Sequence, residues 1–158
     1  MTKSLVVYFS ASGVTADIAS KIAKATGSDI YEIEPTVPYS NADLNWMDKN
    51  SRSSVEMRDK SFRPEIKNTD AHIENYDVIY LGFPIWWYVA PTIVNTFLEK
   101  YDFSGKKIIL FATSGGSGFG KTVDNLKGSV STSTEIVEGK ILNNTSFEEI
   151  ENWLISNY

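Results

Sequence analysis

The run from Leu5 to Phe9, and the loop into which it breaks, constrain this chain more than any other stretch. The run is apolar throughout, rich in β-branched and aromatic side chains, and far too short to cross a membrane. It therefore predicts a strand buried on both faces of a parallel sheet. The loop that follows, Ser10, Ala11, Ser12, Gly13, Val14 and Thr15, is small and hydroxyl-rich. Val14, Ile18, Ala19, Ile22 and Ala25 then fall on one face of a predicted helix, and Gly27 stands where a left-handed cap belongs. A strand, a glycine and hydroxyl loop, and a helix N-terminus together make an anion site, because free backbone N–H groups and the helix dipole favour negative charge. No Lys or Arg lies between Ser10 and Thr15. That suits a bound phosphomonoester better than a reacting triphosphate, which needs a cation at the transferring group. The plainer alternative is a capped helix start in which Ser12 merely caps.

The rest of the chain repeats the strand-then-helix order. Asp29 to Glu34 reads as a second strand, ended by Pro35. Pro35 to Asn75 is too long for a bare crossover, so part of it should be helical, with Asn41 or Asp43 capping a helix that carries Leu44 and Met47, and with Trp46 packing the crossover. Asp77 to Phe83 is a third strand, followed by the loop Pro84, Ile85, Trp86, Trp87, Tyr88, Val89 and Ala90. Pro91 suits the first position of a helix whose apolar face is Ile93, Val94, Phe97 and Leu98. Two tryptophans and a tyrosine in one loop suit a flat aromatic ligand. They could instead fold inward, although alternation would bury only one of the two tryptophans. Lys106 to Thr113 is a fourth buried strand, and Ser133 to Ile141 a fifth. The last helix opens with Ser146 and Glu149 in a capping box. This order predicts an α/β fold: a doubly wound, five-stranded parallel sheet with helices on both faces, formed by a single domain over residues 1–158.

One motif points elsewhere. Gly115 to Thr122 matches the P-loop pattern G-x-x-x-x-G-K-[ST] at every fixed position and lies between a strand and a helix. The stretch after Thr122, however, holds no apolar strand ending in Asp that could position magnesium. Lys121 is therefore expected simply to start a surface helix.

The loop Ser10, Ser12, Gly13, Thr15 resembles the phosphate loop of the flavodoxins, Ser/Thr, any residue, Ser/Thr, Gly, any residue, Thr, and sits where that family has it. Pro84 to Trp87 and Thr113 to Gly118 fall where the family keeps its flavin loops, so the resemblance covers nearly the whole chain. It is closest to flavodoxin-like proteins with a Pro-Ile-Trp-Trp segment. What it implies is an FMN-binding redox protein. Ser10, Ala11, Ser12, Gly13, Val14 and Thr15 would hold the phosphate. Pro84, Ile85, Trp86 and Trp87, with Thr113, Ser114, Gly115, Gly116, Ser117 and Gly118, would hold the isoalloxazine. Ligands of doubly wound sheets bind beyond the carboxyl ends of the strands where the winding reverses, a rule for which flavodoxin is itself the standard instance. Pro84 to Pro91 contains no Gly, Asn or Asp, so a peptide flip towards the flavin would be strained there. The resemblance then implies weaker stabilisation of one-electron-reduced flavin than in shuttles whose loop carries glycine.

Composition closes off other classes. The chain has no cysteine and one histidine, His72, so thiol catalysis, disulfides and histidine metal clusters are excluded and redox chemistry must come from a bound cofactor. A net charge of -5 argues against nucleic acid as a partner. No leader or apolar span is visible, so a cytoplasmic protein without membrane contact is expected, and the formal glycosylation acceptor at Asn143 carries no meaning. Catalytic side chains and metal ligands are not expected. The expected partner is a redox protein or a small-molecule electron acceptor, with NAD(P)H as a candidate donor. The alternatives are an NAD(P)H-dependent quinone or flavin reductase of the same fold and, outside redox chemistry, a nucleotide-binding or regulatory module.

Overall fold

Parallel pairing of β1 (Ser4–Tyr8) with strands on both sides organises the fold, which is given by a computed structural model describing residues 3–11, 13–45, 47–114, 118–143 and 145–157. β2 (Asp29–Glu32) flanks β1 on one side, and β3 (Val78–Pro84), β4 (Lys107–Thr113) and β5 (Glu135–Ile141) follow on the other, giving the order β2-β1-β3-β4-β5. All pairs are parallel. The sheet is therefore the doubly wound one expected, with its winding reversed between β1 and β3.

Alternation along the strands sorts the core into two layers. Leu5 and Val7 of β1 join Ile79, Leu81 and Phe83 of β3 on one face, under α3 (Thr92–Glu99) and α4 (Thr122–Lys127), through Ile93, Val94, Phe97 and Leu126. Val6, Tyr80, Ile109 and Phe111 take the other face, under α1 (Val14–Thr26) and α5 (Phe147–Asn157), through Ile18, Ile22, Ile150 and Trp153. Ile18 and Ile22 are fully buried, and each contributes roughly 1.5–3 kcal/mol relative to exposure. α1 ends as its sequence predicts: Gly27 is left-handed and donates its N–H to the Ala23 carbonyl. The capping box at α5 also forms, with the Glu149 N–H donating to Ser146 Oγ at 3.2 Å.

The crossover departs from expectation. Residues 41–44 form turns rather than a helix, and Met47 is exposed. Ser40 and Asp43 are occupied with each other: the Asp43 N–H donates to Ser40 Oγ at 3.1 Å and the Ser40 N–H to Asp43 Oδ2 at 2.9 Å. These are the reciprocal bonds of a capping box, but the single turn they open, in which the Leu44 N–H donates to the Ser40 and Asn41 carbonyls, is not continued as a helix. The helix of this segment, α2 (Arg52–Met57), begins later, capped by Ser51. Trp46 lies outside the described residues. Smaller shifts occur at β2, which ends at Glu32, and at Pro91, which is the extended residue capping α3 rather than its first helical residue.

Candidate functional site

The carboxyl ends of β1, β3 and β4 carry the three unusual loops, and the structure ties them to one another. Thr15, at the start of α1, and Thr113, at the end of β4, are both buried and share a hydroxyl–hydroxyl hydrogen bond of 2.8 Å. Pro84 lies in register with Thr113, and the Ile85 N–H donates to the Thr113 carbonyl at 2.8 Å. Thr113 thus joins the first loop to the second and third. A hydroxyl that accepts one hydrogen bond keeps its own proton to donate. With Thr113 as donor, Thr15 would have an O–H to offer an anion.

In the first loop the Gly13 N–H donates to Ser10 Oγ at 3.0 Å, folding the chain tightly before α1. Gly13 occupies the helix-capping position at φ 92, a left-handed conformation suited to glycine. It has no side chain with which to cap. Ser12, the expected cap in the plainer reading, lies outside the described residues. Val14 is 40% exposed, while Ala11 packs against the core. The one acid in the first turn of α1, Asp17, pairs with Lys21 at 3.0 Å.

The aromatic loop divides its tryptophans as alternation requires. Trp86 turns inward and is half-buried, edge-on to Phe9 at 5.8 Å and to Tyr39 at 5.4 Å between ring centroids. Trp87 and Tyr88 turn outward, 43% and 66% exposed. Trp86 and Val89 exchange backbone hydrogen bonds across them, so Trp87 and Tyr88 are the two central residues of a tight hairpin, with φ of 48 and 67. Such a turn calls for Asn-Gly or similar pairs. Two bulky residues are thus held in a left-handed conformation that disfavours them. Gly120, also left-handed, makes room for the turn: a Cβ there would lie 2.4 Å from the Tyr88 carbonyl oxygen.

Two residues outside the expected set support the site. Tyr39, from the crossover, holds Trp86 edge-on and donates its hydroxyl to buried Glu56 at 2.5 Å. Arg52 also donates to Glu56, at 2.9 Å, and stacks over the Tyr39 ring at 3.8 Å. Burial, and then the bond to Glu56, push the Tyr39 hydroxyl pKa well above its ordinary value of 10.0. Tyr39→Phe keeps the ring and removes the bond. It is expected to lower stability by roughly 1.5–3 kcal/mol, as for loss of one hydrogen bond to a buried carboxylate, in urea unfolding followed by tryptophan fluorescence. Asn143, beyond β5, is the second: its side-chain oxygen accepts from the Ser114 N–H at 2.7 Å, and its amide donates to the Ser114 carbonyl. Its place just after a strand was the available signal, obscured by its match to a glycosylation acceptor. Gly115, Gly116 and Ser117 lie outside the described residues, and Gly118 is exposed with open space around it.

The P-loop match finds no matching geometry in its described part. Thr122 is fully buried with its hydroxyl donating to the Phe119 carbonyl, so it does not present an oxygen to a metal.

Comparison with known proteins bears on the family and the fold. A family model described as Flavodoxin matches residues 3–157. A provisionally assigned flavoprotein of known structure from Bacteroides eggerthii is 47% identical, with a TM-score of 0.91, over 99% of this chain and 98% of that one. A flavoprotein from Lactobacillus acidophilus, solved in complex with FMN, shares the fold at 23% identity and a TM-score of 0.68, over 98% of this chain and 99% of that one. Among curated proteins, NAD(P)H dehydrogenase [quinone] 1 of Rattus norvegicus is 24% identical over 81% of this chain. The chain spans 55% of that relative's length.

Proposed function

The chain belongs to the flavodoxin family, and from that premise we propose that its three linked loops hold FMN non-covalently and that it passes electrons through the bound flavin. The observation that carries this reading is the tie between Thr15 and Thr113, whose carbonyl also accepts the Ile85 N–H, so that the start of α1, the aromatic loop and the end of β4 are hydrogen-bonded to one another. The donor set fits the group. The described part of the phosphate loop offers backbone N–H groups, the Ser10 and Thr15 hydroxyls and the N-terminus of α1, with no carboxylate inside it. The Lactobacillus acidophilus relative, solved with FMN, adds support.

When bound, the flavin supplies one- or two-electron chemistry; the protein binds it, orients it and excludes water. Ser10, Ala11, Ser12, Gly13, Val14 and Thr15 are assigned to the phosphate. Pro84 to Trp87 and Thr113 to Gly118 are assigned to the ring. Within these, Trp86 serves as a fixed aromatic wall, because the Tyr39, Glu56 and Arg52 network sets its edge-on partner.

A titration of the flavin-free chain with FMN and with riboflavin tests the assignment, because only FMN bears the phosphate. Two charge-assisted bonds to a phosphate are worth roughly 1.5–3 kcal/mol each, so FMN should bind at least about a hundredfold more tightly. Equal affinities would remove the phosphate loop from the site. The likeness to a quinone dehydrogenase favours a second reading, direct reduction of a small acceptor with NAD(P)H as donor. Steady-state NAD(P)H oxidation by the FMN-loaded protein with a soluble quinone would favour the reductase, and its absence the shuttle between redox proteins. No helix among the described residues is long and apolar enough to cross a membrane.

A further inference from the structure

A cavity of about 450 Å³ lies beside the aromatic turn, with Lys60 and Arg63 of the crossover, Trp87 and Tyr88 of the turn, Thr92 of α3 and Lys121 among its lining residues. No described residue of the phosphate loop reaches it, and of the described residues assigned to FMN only Trp87 lines it. Its volume falls within the range of small-molecule sites, roughly 300–1,000 Å³. Its chemistry is uneven. Three cationic residues line it and, among the described residues, no Asp or Glu does, in a chain of net charge -5. Arg63 is held by Glu99 at 3.0 Å. Lys60 and Lys121 have no carboxylate partner within 4.0 Å among the described residues. Thr92, which also lines the cavity, is 6% exposed, and its hydroxyl has no hydrogen-bond partner among the described residues. Trp87 and Tyr88, 43% and 66% exposed and both at positive φ, also line it. A protein that needed these rings only for packing would have little reason to hold them out in a strained turn.

We infer that this cavity binds a small aromatic anion, its ring system against Trp87 and Tyr88 and its acidic group towards Lys60 and Lys121. Rings supply area and stacking, and the ammonium groups select for the charge, so an acid should be preferred over its neutral analogue of the same size.

The test compares naphthoate with naphthalenemethanol by equilibrium dialysis against the FMN-loaded protein. Naphthoate is expected to bind stoichiometrically and at least about tenfold more tightly than the alcohol, the scale of a single favourable charge contact. The double variant Lys60→Glu with Lys121→Glu should lose that preference while the alcohol's affinity and the FMN content stay unchanged. Equal affinities for the two probes, or a naphthoate preference that survives the double variant, would overturn the proposal. So would binding of naphthoate only to flavin-free protein with displacement by FMN, since the cavity would then be part of the flavin site. If the protein takes up no FMN at all, the cofactor assignment fails by itself, and the same comparison on the flavin-free chain still decides this one.

Discussion

Ser10→Asp is expected to weaken FMN binding by roughly a hundredfold or more while leaving riboflavin binding and the stability of the fold nearly unchanged. Ser10 Oγ accepts the Gly13 N–H at 3.0 Å, and that bond shapes the turn into α1. An Asp carboxylate accepts the same bond and favours the same kind of local turn, so the loop keeps its course. What changes is charge. Two unit charges about 4 Å apart interact by roughly 4 kcal/mol at an effective dielectric of 20, enough to repel a phosphate and too local to disturb a ligand without one. Titration with both flavins, together with thermal unfolding, checks the result. Parallel loss of FMN and riboflavin would mean that the loop shapes the ring site rather than gripping a phosphate.

Trp87→Asn combined with Tyr88→Gly is expected to raise stability and weaken flavin binding together. Both residues hold positive φ in a two-residue hairpin turn, 48 and 67, a conformation that costs non-glycine residues roughly 1–2 kcal/mol each. Asn-Gly relieves most of that strain. The lost packing is modest, because the rings are 43% and 66% exposed. The expected net gain is roughly 1–2 kcal/mol, a rise of about 2–8 °C in Tm at this chain length. FMN affinity should fall by about tenfold, the value of one aromatic contact with the ring. Strain that persists at an exposed aromatic turn is consistent with a loop shaped for a ligand rather than for folding. A drop in Tm would show instead that the rings stabilise the fold and that the turn stores nothing for the site.

The strands and long helices were legible because each depends on local pattern. Unbroken apolar runs such as Leu5 to Phe9 and Ile108 to Ala112 leave little choice but a doubly covered parallel strand, and Gly27 and the Ser146–Glu149 box mark helix ends by local chemistry. The three loops were legible for the same reason, since each follows a strand directly. What could not be read depends on pairing across distance. The helix expected after Asn41 gave way to a Ser40–Asp43 turn, because short polar side chains can satisfy a turn as well as a helix end. Tyr39 acquires its role from Glu56 and Arg52, and Asn143 from Ser114. Nothing local to Tyr39 announces such a partner, and Asn143 offers only its place just after a strand. The positive φ angles at Trp87 and Tyr88 were hidden for the opposite reason: their residue types argue against that conformation, and only the backbone bonds between Trp86 and Val89 impose it.

The visible absorption spectrum of the purified protein, after incubation with FMN and removal of the excess, tests the central claim most directly. A yellow protein retaining FMN in stoichiometric amount is expected, with the Ser10→Asp variant left colourless after the same treatment. A wild-type protein that emerges colourless would contradict the assignment of the three loops to a flavin.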